Sequence, residues 1–314
     1  MSEYRKTVLQ LRKRVSKLTL EQQKQILKIY NDTITDLSRK ATSPHTRELT
    51  RVWAARYARE VEKAKIELRN ELNKQIRGSI KKGAEIGTEA EQLIMHKIFK
   101  LAGIKVDKSF NSMFGKVQDN VVHDIISGNL YKDNKTLSAR IWSYGEGLEK
   151  DIQYIINQAI IQKKSAIELA KDLEKYVKDP AKRGTNWNKV YPGLVDKAVD
   201  YNAMRLARTS INHAYQTATI QSSNMNPFVA GIQWWAANIH GRTCELCMER
   251  HEKVFPKDNV PLDHPNGLCA MIPHIPKSSI EVADELRAWL DGEDNRVLDE
   301  WYNKYGDYFA YKKI

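Results

Sequence analysis

The sequence predicts a mainly α protein, with elongated helical N-terminal and central regions and a small C-terminal α+β module of zinc-knuckle-like character. Three observations carry this. Apolar residues recur at steps of three and four over most of the first 220 positions, the period of a one-sided helix. The texture changes at Asn226-Pro227, where a short alternating stretch begins. All three cysteines fall just beyond that change, within 26 residues.

The helices are read in order. Thr19-x-x-Gln22 has the form of a capping box and precedes Ile26, Tyr30, Ile34 and Leu37. Ser43-Pro44 is expected to break that helix. Tyr57, Val61, Ala64, Leu68, Leu72 and Ile76 then form one narrow stripe that needs a partner helix. Gly78, Gly83 and Gly87 punctuate the chain, and helices are expected at 88–102 and 113–127. From Leu137 two helices follow. The second opens with a capping box at Ser165-x-x-Glu168 and ends at Asp179-Pro180. Residues 180–193 read as a loop. A helix over 194–223 carries Met204, Ala207, Ile211, Ala214, Tyr215 and Ala218 on one stripe. Strands are expected at Ile232–Trp234 and Lys253–Phe255, with a turn at His240-Gly241. Ser278-x-x-Glu281 caps a short helix to Leu290, and a last helix spans Arg296 to Tyr305. This gives four segments: a basic helical arm (1–135), a central helical region (136–225), a small Cys/His hairpin module (226–276) and a helical tail (277–314).

The 314 residues carry 51 Lys and Arg against 39 Asp and Glu, a net charge of +12. Residues 1–100 hold 23 basic and 12 acidic side chains, so the excess sits in the N-terminal third. Such asymmetry favours a polyanionic partner, and Arg51, Arg56, Arg59, Lys63, Lys65 and Arg69 are the expected nonspecific contacts to double-stranded DNA. A solvated helix face is the plainer explanation of the same residues. Met1 to Leu20 has no apolar run and does not read as a signal peptide. No apolar stretch reaches about 18 residues, so no membrane span is expected. An odd cysteine count excludes a disulfide framework as the main stabiliser.

The cysteines form the pattern Cys244-x2-Cys247-x16-His264-x4-Cys269. Three thiolates and one imidazole suit a four-coordinate structural zinc ion. The same Cys-x-x-Cys could be a redox pair or two ordinary thiols. His240 and His251 are nearby substitutes as ligands. Asp263-His264 resembles the opening of a histidine–asparagine–histidine nuclease motif, but no suitably placed Asn and His follow. No nucleophile elbow or phosphate loop is present, so no enzyme is expected.

Several blocks are similar to phage head-morphogenesis (minor head) proteins of the Mu protein F-like group. They are "LSARIW" at 137–142, the capped helix 165–176, "LARTSINHAYQTA" at 206–218, and 231–273 with Arg242-Thr-Cys-x-x-Cys247 and His264-Pro-Asn266. Three positions depart from the family's pattern. Gly267 stands where the family usually has a cysteine, Ser210 where an acidic residue is common, and His240-Gly241 where an Asp often precedes Arg-Thr-Cys. The resemblance implies a virion protein held at the portal vertex inside the capsid, and in host cytoplasm during assembly. It implies contacts to portal protein, and to scaffold and major capsid protein, in head assembly and DNA packaging or ejection. The alternatives are a metal-dependent enzyme acting on nucleic acid and a zinc-knuckle DNA-binding protein.

Overall fold

The computed structural model describes residues 3–42, 51–106, 108–162, 164–178, 201–237 and 243–309. Among the described residues, six helices come first: α1 (Glu3–Ala41), α2 (Arg51–Ala102), α3 (Lys108–Ser127), α4 (Leu137–Ile161), α5 (Ala166–Lys178) and α6 (Tyr201–Ser223). Then follow β1 (Gly231–Trp235), the short α7 (Glu245–Arg250), β2 (Val254–Phe255), β3 (Ala270–His274), α8 (Ser279–Leu290) and α9 (Arg296–Tyr305). The mainly α expectation holds, with one small antiparallel sheet in the order β2-β1-β3. No helix among the described residues is long and apolar enough to cross a membrane.

Two helices run further than their sequence signals. Thr19 and Gln22 do not start a helix. They are buried within α1, which begins at Glu3. Gly78, Gly83 and Gly87 do not interrupt α2, which is continuous over 52 residues. Two of these glycines serve packing. A β-carbon at Gly83 would lie 2.8 Å from the Ile211 carbonyl oxygen, and one at Gly87 would lie 2.4 Å from that of Tyr215. Ala214 and Ala218 sit opposite them. Small residues on both helices therefore let α2 and α6 approach almost backbone to backbone. Each glycine costs about 1 kcal/mol of helix propensity, which that contact must offset.

The capping boxes at Ser165 and Ser278 form as read. The Glu168 carboxylate accepts from the Ser165 N–H at 2.7 Å, and the Glu281 carboxylate from the Ser278 N–H at 2.6 Å. The third strand, β3, was not anticipated. Ser43-Pro44, Asp179-Pro180, the loop 180–193, residues 194–200 and the His240-Gly241 turn lie outside the described residues.

The chain packs as two compact units that cut across the four sequence segments. The first comprises Met1–Leu18, Ser79–Ile125 and Thr209–Ile314, and the second Thr19–Gly78 and Ile126–Arg208. In the second unit the stripe Tyr57–Ile76 is buried as predicted, and so are Ile26, Tyr30, Ile34 and Leu37. The Tyr57 hydroxyl donates to the Leu37 carbonyl at 2.7 Å, tying the two helices. In the first unit one core joins Val8, Ile98, Phe110, Tyr215, Leu286 and Trp301, among others. Each such side chain, fully buried, contributes about 1.5–3 kcal/mol. A smaller core gathers Ile232, Trp234, Cys247, Cys269 and Met271 under the sheet.

Glu91 is buried in the first unit. The Tyr4 hydroxyl donates to one of its oxygens and Asn226 Nδ2 to the other at 2.5 Å. Burial pushes its pKa up to about 7, against the lowering pull of Tyr4, Asn226 and Lys257. An unfolded Glu titrates near 4.3. Between about pH 4.5 and 7 the native state therefore holds a proton that the unfolded chain has released. Stability should fall as pH rises through that window, by on the order of 3 kcal/mol. Glu91→Gln keeps an acceptor for Asn226 and donates to Tyr4. Urea unfolding at pH 5 and pH 8 should show this variant more stable than the parent at pH 8 and without the slope. An unchanged slope would mean Glu91 is ionised in the native protein.

Candidate metal centre

The Cys-x-x-Cys step is set by the start of α7. Cys244 is its N-cap residue, with extended backbone (φ −74°, ψ 159°), and its carbonyl accepts the Met248 N–H at 3.1 Å. Cys247 lies one turn on and is buried, while Cys244 stays exposed. The second half of the site is a tight turn. The Gly267 N–H donates to the His264 carbonyl at 2.8 Å, Pro265 takes the second position, and Asn266 has φ +63° at the third. Proline fixes the first corner and asparagine tolerates the left-handed second one, which is the chemistry of a type II turn.

Helix α6 holds this turn from below. Thr209, Asn212, His213 and Gln216 share one face at helical spacing, and all are buried. Thr209 Oγ1 accepts the Asn266 N–H at 3.1 Å, and Asn212 Nδ2 donates to the Gly267 carbonyl at 2.7 Å. His213 Nε2 donates to the Asp263 carbonyl at 3.0 Å; burial lowers the pKa of the ring, and this bond and the Asp263 charge pull the other way without reversing it. Gln216 Nε2 reaches Asp263 Oδ2 at 3.1 Å and the Cys269 carbonyl at 2.8 Å. Arg12 of α1 adds a bond to the Leu268 carbonyl at 3.1 Å and another to Asn212 at 2.8 Å. A buried carbonyl left unpaired costs about 1–3 kcal/mol, so this polar face is required by the turn.

The four predicted residues come together. The ligand atoms of Cys244, Cys247 and His264 lie within 4.8 Å of one another, and so do those of Cys247, Asp263 and Cys269. Cys247 is common to both triads. His264 Nδ1 donates to the Pro265 carbonyl at 2.9 Å, which leaves the Nε2 lone pair for an ion. Three N–H groups face the sulfurs. The Cys247 N–H favours the Cys244 thiolate, and the Ala237 N–H and the Trp234 indole N–H favour that of Cys269. That indole N–H is buried and has no full hydrogen bond of its own. A metal-bound thiolate is the acceptor it lacks, so the donor set fits a metal.

Electrostatics point the same way. Burial pushes the Cys247 thiol far up, and its neighbours Cys244, Cys269 and Asp263 add to this. Burial and then Asp263 also raise Cys269. Burial works upward on Cys244 too, but the Cys247 N–H, the Cys247 thiol and His264 outweigh it. Burial lowers His264, and the Pro265 carbonyl, Asp263 and Cys244 more than reverse it. Thiolates and a carboxylate crowded in a small core repel one another. A central cation removes that penalty.

Asp263 was not foreseen as part of the site. Its side chain is fully buried. Oδ1 accepts the His264 N–H at 2.9 Å and lies 4.0 Å from Cys247 Sγ, and Oδ2 accepts the Cys269 N–H at 3.2 Å. A β-carbon at Gly267 would fall 2.0 Å from Oδ2. The carboxylate therefore fills the space a side chain at 267 would need. His251 is no ligand, since its Nδ1 accepts the Ala236 N–H at 3.2 Å. His240 lies outside the described residues.

The six basic residues divide. Arg56, Arg59 and Lys63 are exposed on α2. Lys65 is not available to phosphate: it is 7% exposed, with Nζ 2.7 Å from both Glu62 and Glu149. Arg69 is half-buried, its guanidinium 3.6 Å from the Trp142 ring centre. The side chain of Arg51 lies outside the described residues.

If the two triads hold one ion through Cys247, substitutions should rank. Metal content of purified protein, read by plasma mass spectrometry, should be near one ion per chain. Cys247→Ser should abolish it, Cys244→Ser should weaken it, and Gln216→Leu should cost about 10–100-fold in affinity through the turn alone. Equal retention in Cys247→Ser and the parent would exclude the site.

Comparison with known proteins gives no match to this chain: none with a family model, none with a curated protein and none with a solved structure.

Proposed function

We propose that this protein is a phage minor head protein. It binds the portal vertex inside the capsid, acts in head assembly and in DNA packaging or ejection, and touches DNA without sequence preference. One observation supports this most. Two blocks of the family resemblance, 206–218 and the one that contains the His264-Pro-Asn turn, are the two halves of one construction. Asn212, His213 and Gln216 of the first hold the backbone of the second.

The ion in this reading is zinc in a structural role. Three thiolates and an imidazole complete a tetrahedron of protein ligands, whereas a catalytic zinc keeps one position open for water or substrate. Within that frame the residues position and stabilise, and none is assigned to catalysis. Zinc would lock the hairpin to α6, and Asp263 would fix the spacing of His264 and Cys269.

The DNA contacts in this reading come from exposed cations. Arg56, Arg59 and Lys63 remain from the set on α2. Lys6, Lys13 and Lys17 on α1 are also exposed in the first unit, and Lys24 and Lys28 repeat the spacing in the second. Four to five phosphate contacts would weaken binding about a hundredfold or more between 50 and 200 mM salt. Filter binding of the full chain to random-sequence duplex should show this fall, and Arg56→Glu with Arg59→Glu should reduce the slope. Salt-independent binding would remove the electrostatic account.

Portal binding is tested by co-sedimentation of the full chain with purified portal rings. The expected result is saturable co-migration that survives nuclease treatment. A protein that stays in the supernatant at micromolar concentrations of both partners would overturn the proposal.

A further inference from the structure

The three cysteines of the centre differ in access. Cys244 is exposed, whereas Cys247 and Cys269 are buried. The sulfurs of Cys244 and Cys247 lie within 4.8 Å of one another. A disulfide holds its sulfurs about 2.05 Å apart, so this pair closes by a shift of about 3 Å at most. Helix α7 depends on the same two residues. It is six residues long, has no side-chain cap at Cys244, and buries one side chain, that of Cys247. Leu246 and Met248 are 47% and 42% exposed. A helix this short is not stable on its own. At its far end the Arg250 guanidinium lies 5.0 Å from the Trp234 ring centre, and His251 Nδ1 accepts the Ala236 N–H. At its near end the buried attachment is Cys247. The turn from Asp263 to Cys269 is held differently, because its bonds to Asn212, His213 and Gln216 pass through no sulfur.

We infer that the centre is a redox switch: a peroxide joins Cys244 to Cys247 as a disulfide, the ion leaves, and α7 loosens while the turn stays on α6. The inference rests on the metal reading above and adds a second state to it. In the first step the Cys244 sulfur attacks one oxygen of the peroxide ROOH. The O–O bond breaks, ROH leaves, and Cys244 becomes a sulfenic acid. The Cys247 sulfur then attacks that sulfur, the S–O bond breaks, and the oxygen leaves as water. Two thiols lose two electrons and two protons, and the peroxide is reduced to ROH and water. When the pair starts as metal-bound thiolates, solvent supplies the two protons and the ion leaves as the divalent cation. Cys269 is as near to Cys247 as Cys244 is, but it is buried and does not meet the oxidant first. The thiolate is the metal ligand, so the disulfide removes two donors of four. Asp263 does not replace them, since its oxygens already accept the His264 and Cys269 N–H groups and the Gln216 amide.

The test treats the full chain, reduced and loaded with zinc, with hydrogen peroxide. A colorimetric chelator should register release of the ion, and dithiothreitol with added zinc should restore it. Tryptic mass mapping should find the peptide Thr243–Arg250 lighter by two hydrogens, with Cys269 still open to alkylation after denaturation. Hydrogen exchange should rise about tenfold or more in α7 and stay unchanged in α6. In Cys244→Ser, an exposed position where folding is not at risk, oxidation of Cys247 and Cys269 should be slower by about tenfold or more, because both are buried. Circular dichroism would confirm the fold of that variant. Oxidation of Cys247 at the parent's rate in Cys244→Ser would overturn the inference. So would a disulfide formed without loss of the ion, or sulfinic acid at Cys244 beside a free Cys247 thiol; both leave the zinc reading standing. A reduced chain that takes up no zinc would remove that reading and the switch together.

Discussion

The site depends on satisfying buried backbone in the segment from Asp263 to Cys269. This stretch turns sharply, lies against a helix, and exposes carbonyls and N–H groups that water does not reach. In a low-dielectric surround an unmatched polar group costs more than a made bond contributes. Helix α6 answers with side chains on one face. Its other face must be apolar and small, because α2 passes almost in contact there. At 100° per residue, Ile211, Ala214, Tyr215 and Ala218 point roughly opposite to Thr209, Asn212, His213 and Gln216. The glycines of α2 and the ligand turn are thus linked through a single helix. Moving α6 away from α2 to fit a β-carbon at Gly87 would press its polar face into the turn and disturb those bonds.

Asp263 adds a second constraint from within the turn. A carboxylate beside two buried thiols is unfavourable unless its charge is used. Its oxygens receive the N–H groups of His264 and Cys269 and the amide of Gln216, which fixes both ligand-bearing residues relative to one another. The same oxygens occupy the space above Gly267. At that position the departure from the resembled family's cysteine has a steric reason. A cysteine there and a buried Asp263 carboxylate in this geometry exclude each other.

Much of this was legible in the sequence where the signal was local. The stripe Tyr57–Ile76 and the boxes at Ser165 and Ser278 depend only on neighbours in the chain. The Cys/His spacing marked residues that do cluster for the same reason, since a knuckle and a turn are both short. The misreadings share a cause. Thr19-x-x-Gln22 has the residues of a cap, yet their environment inside α1 comes from packing. Gly83 and Gly87 look like helix breakers until the helix that needs their absent side chains is known. The polar face of α6 was present at spacings of three and four, as regular as the apolar stripe beside it. Attention to apolar residues alone passed over it. Strand β3 was hidden by Pro273, which argues against a central strand but is tolerated at an edge.

Charge counting shows how far composition can be carried. The excess of Lys and Arg in the first hundred residues is real, but charge in a sequence is not charge at a surface. Lys65 is buried between two partly exposed carboxylates of the second unit, Glu62 and Glu149, and removing it would take away the cation they share. Its role is stability, and its loss would say nothing about a polyanion. Arg69 is drawn onto Trp142, where the planar guanidinium covers an aromatic face that would otherwise be bare. Arg56 and Arg59 remain exposed, because their positions on α2 fall between the turns that build the core. An electrostatic surface is therefore set by the phase of each cation relative to the apolar stripe. Two lysines two residues apart, Lys63 and Lys65, can have opposite fates for that reason alone.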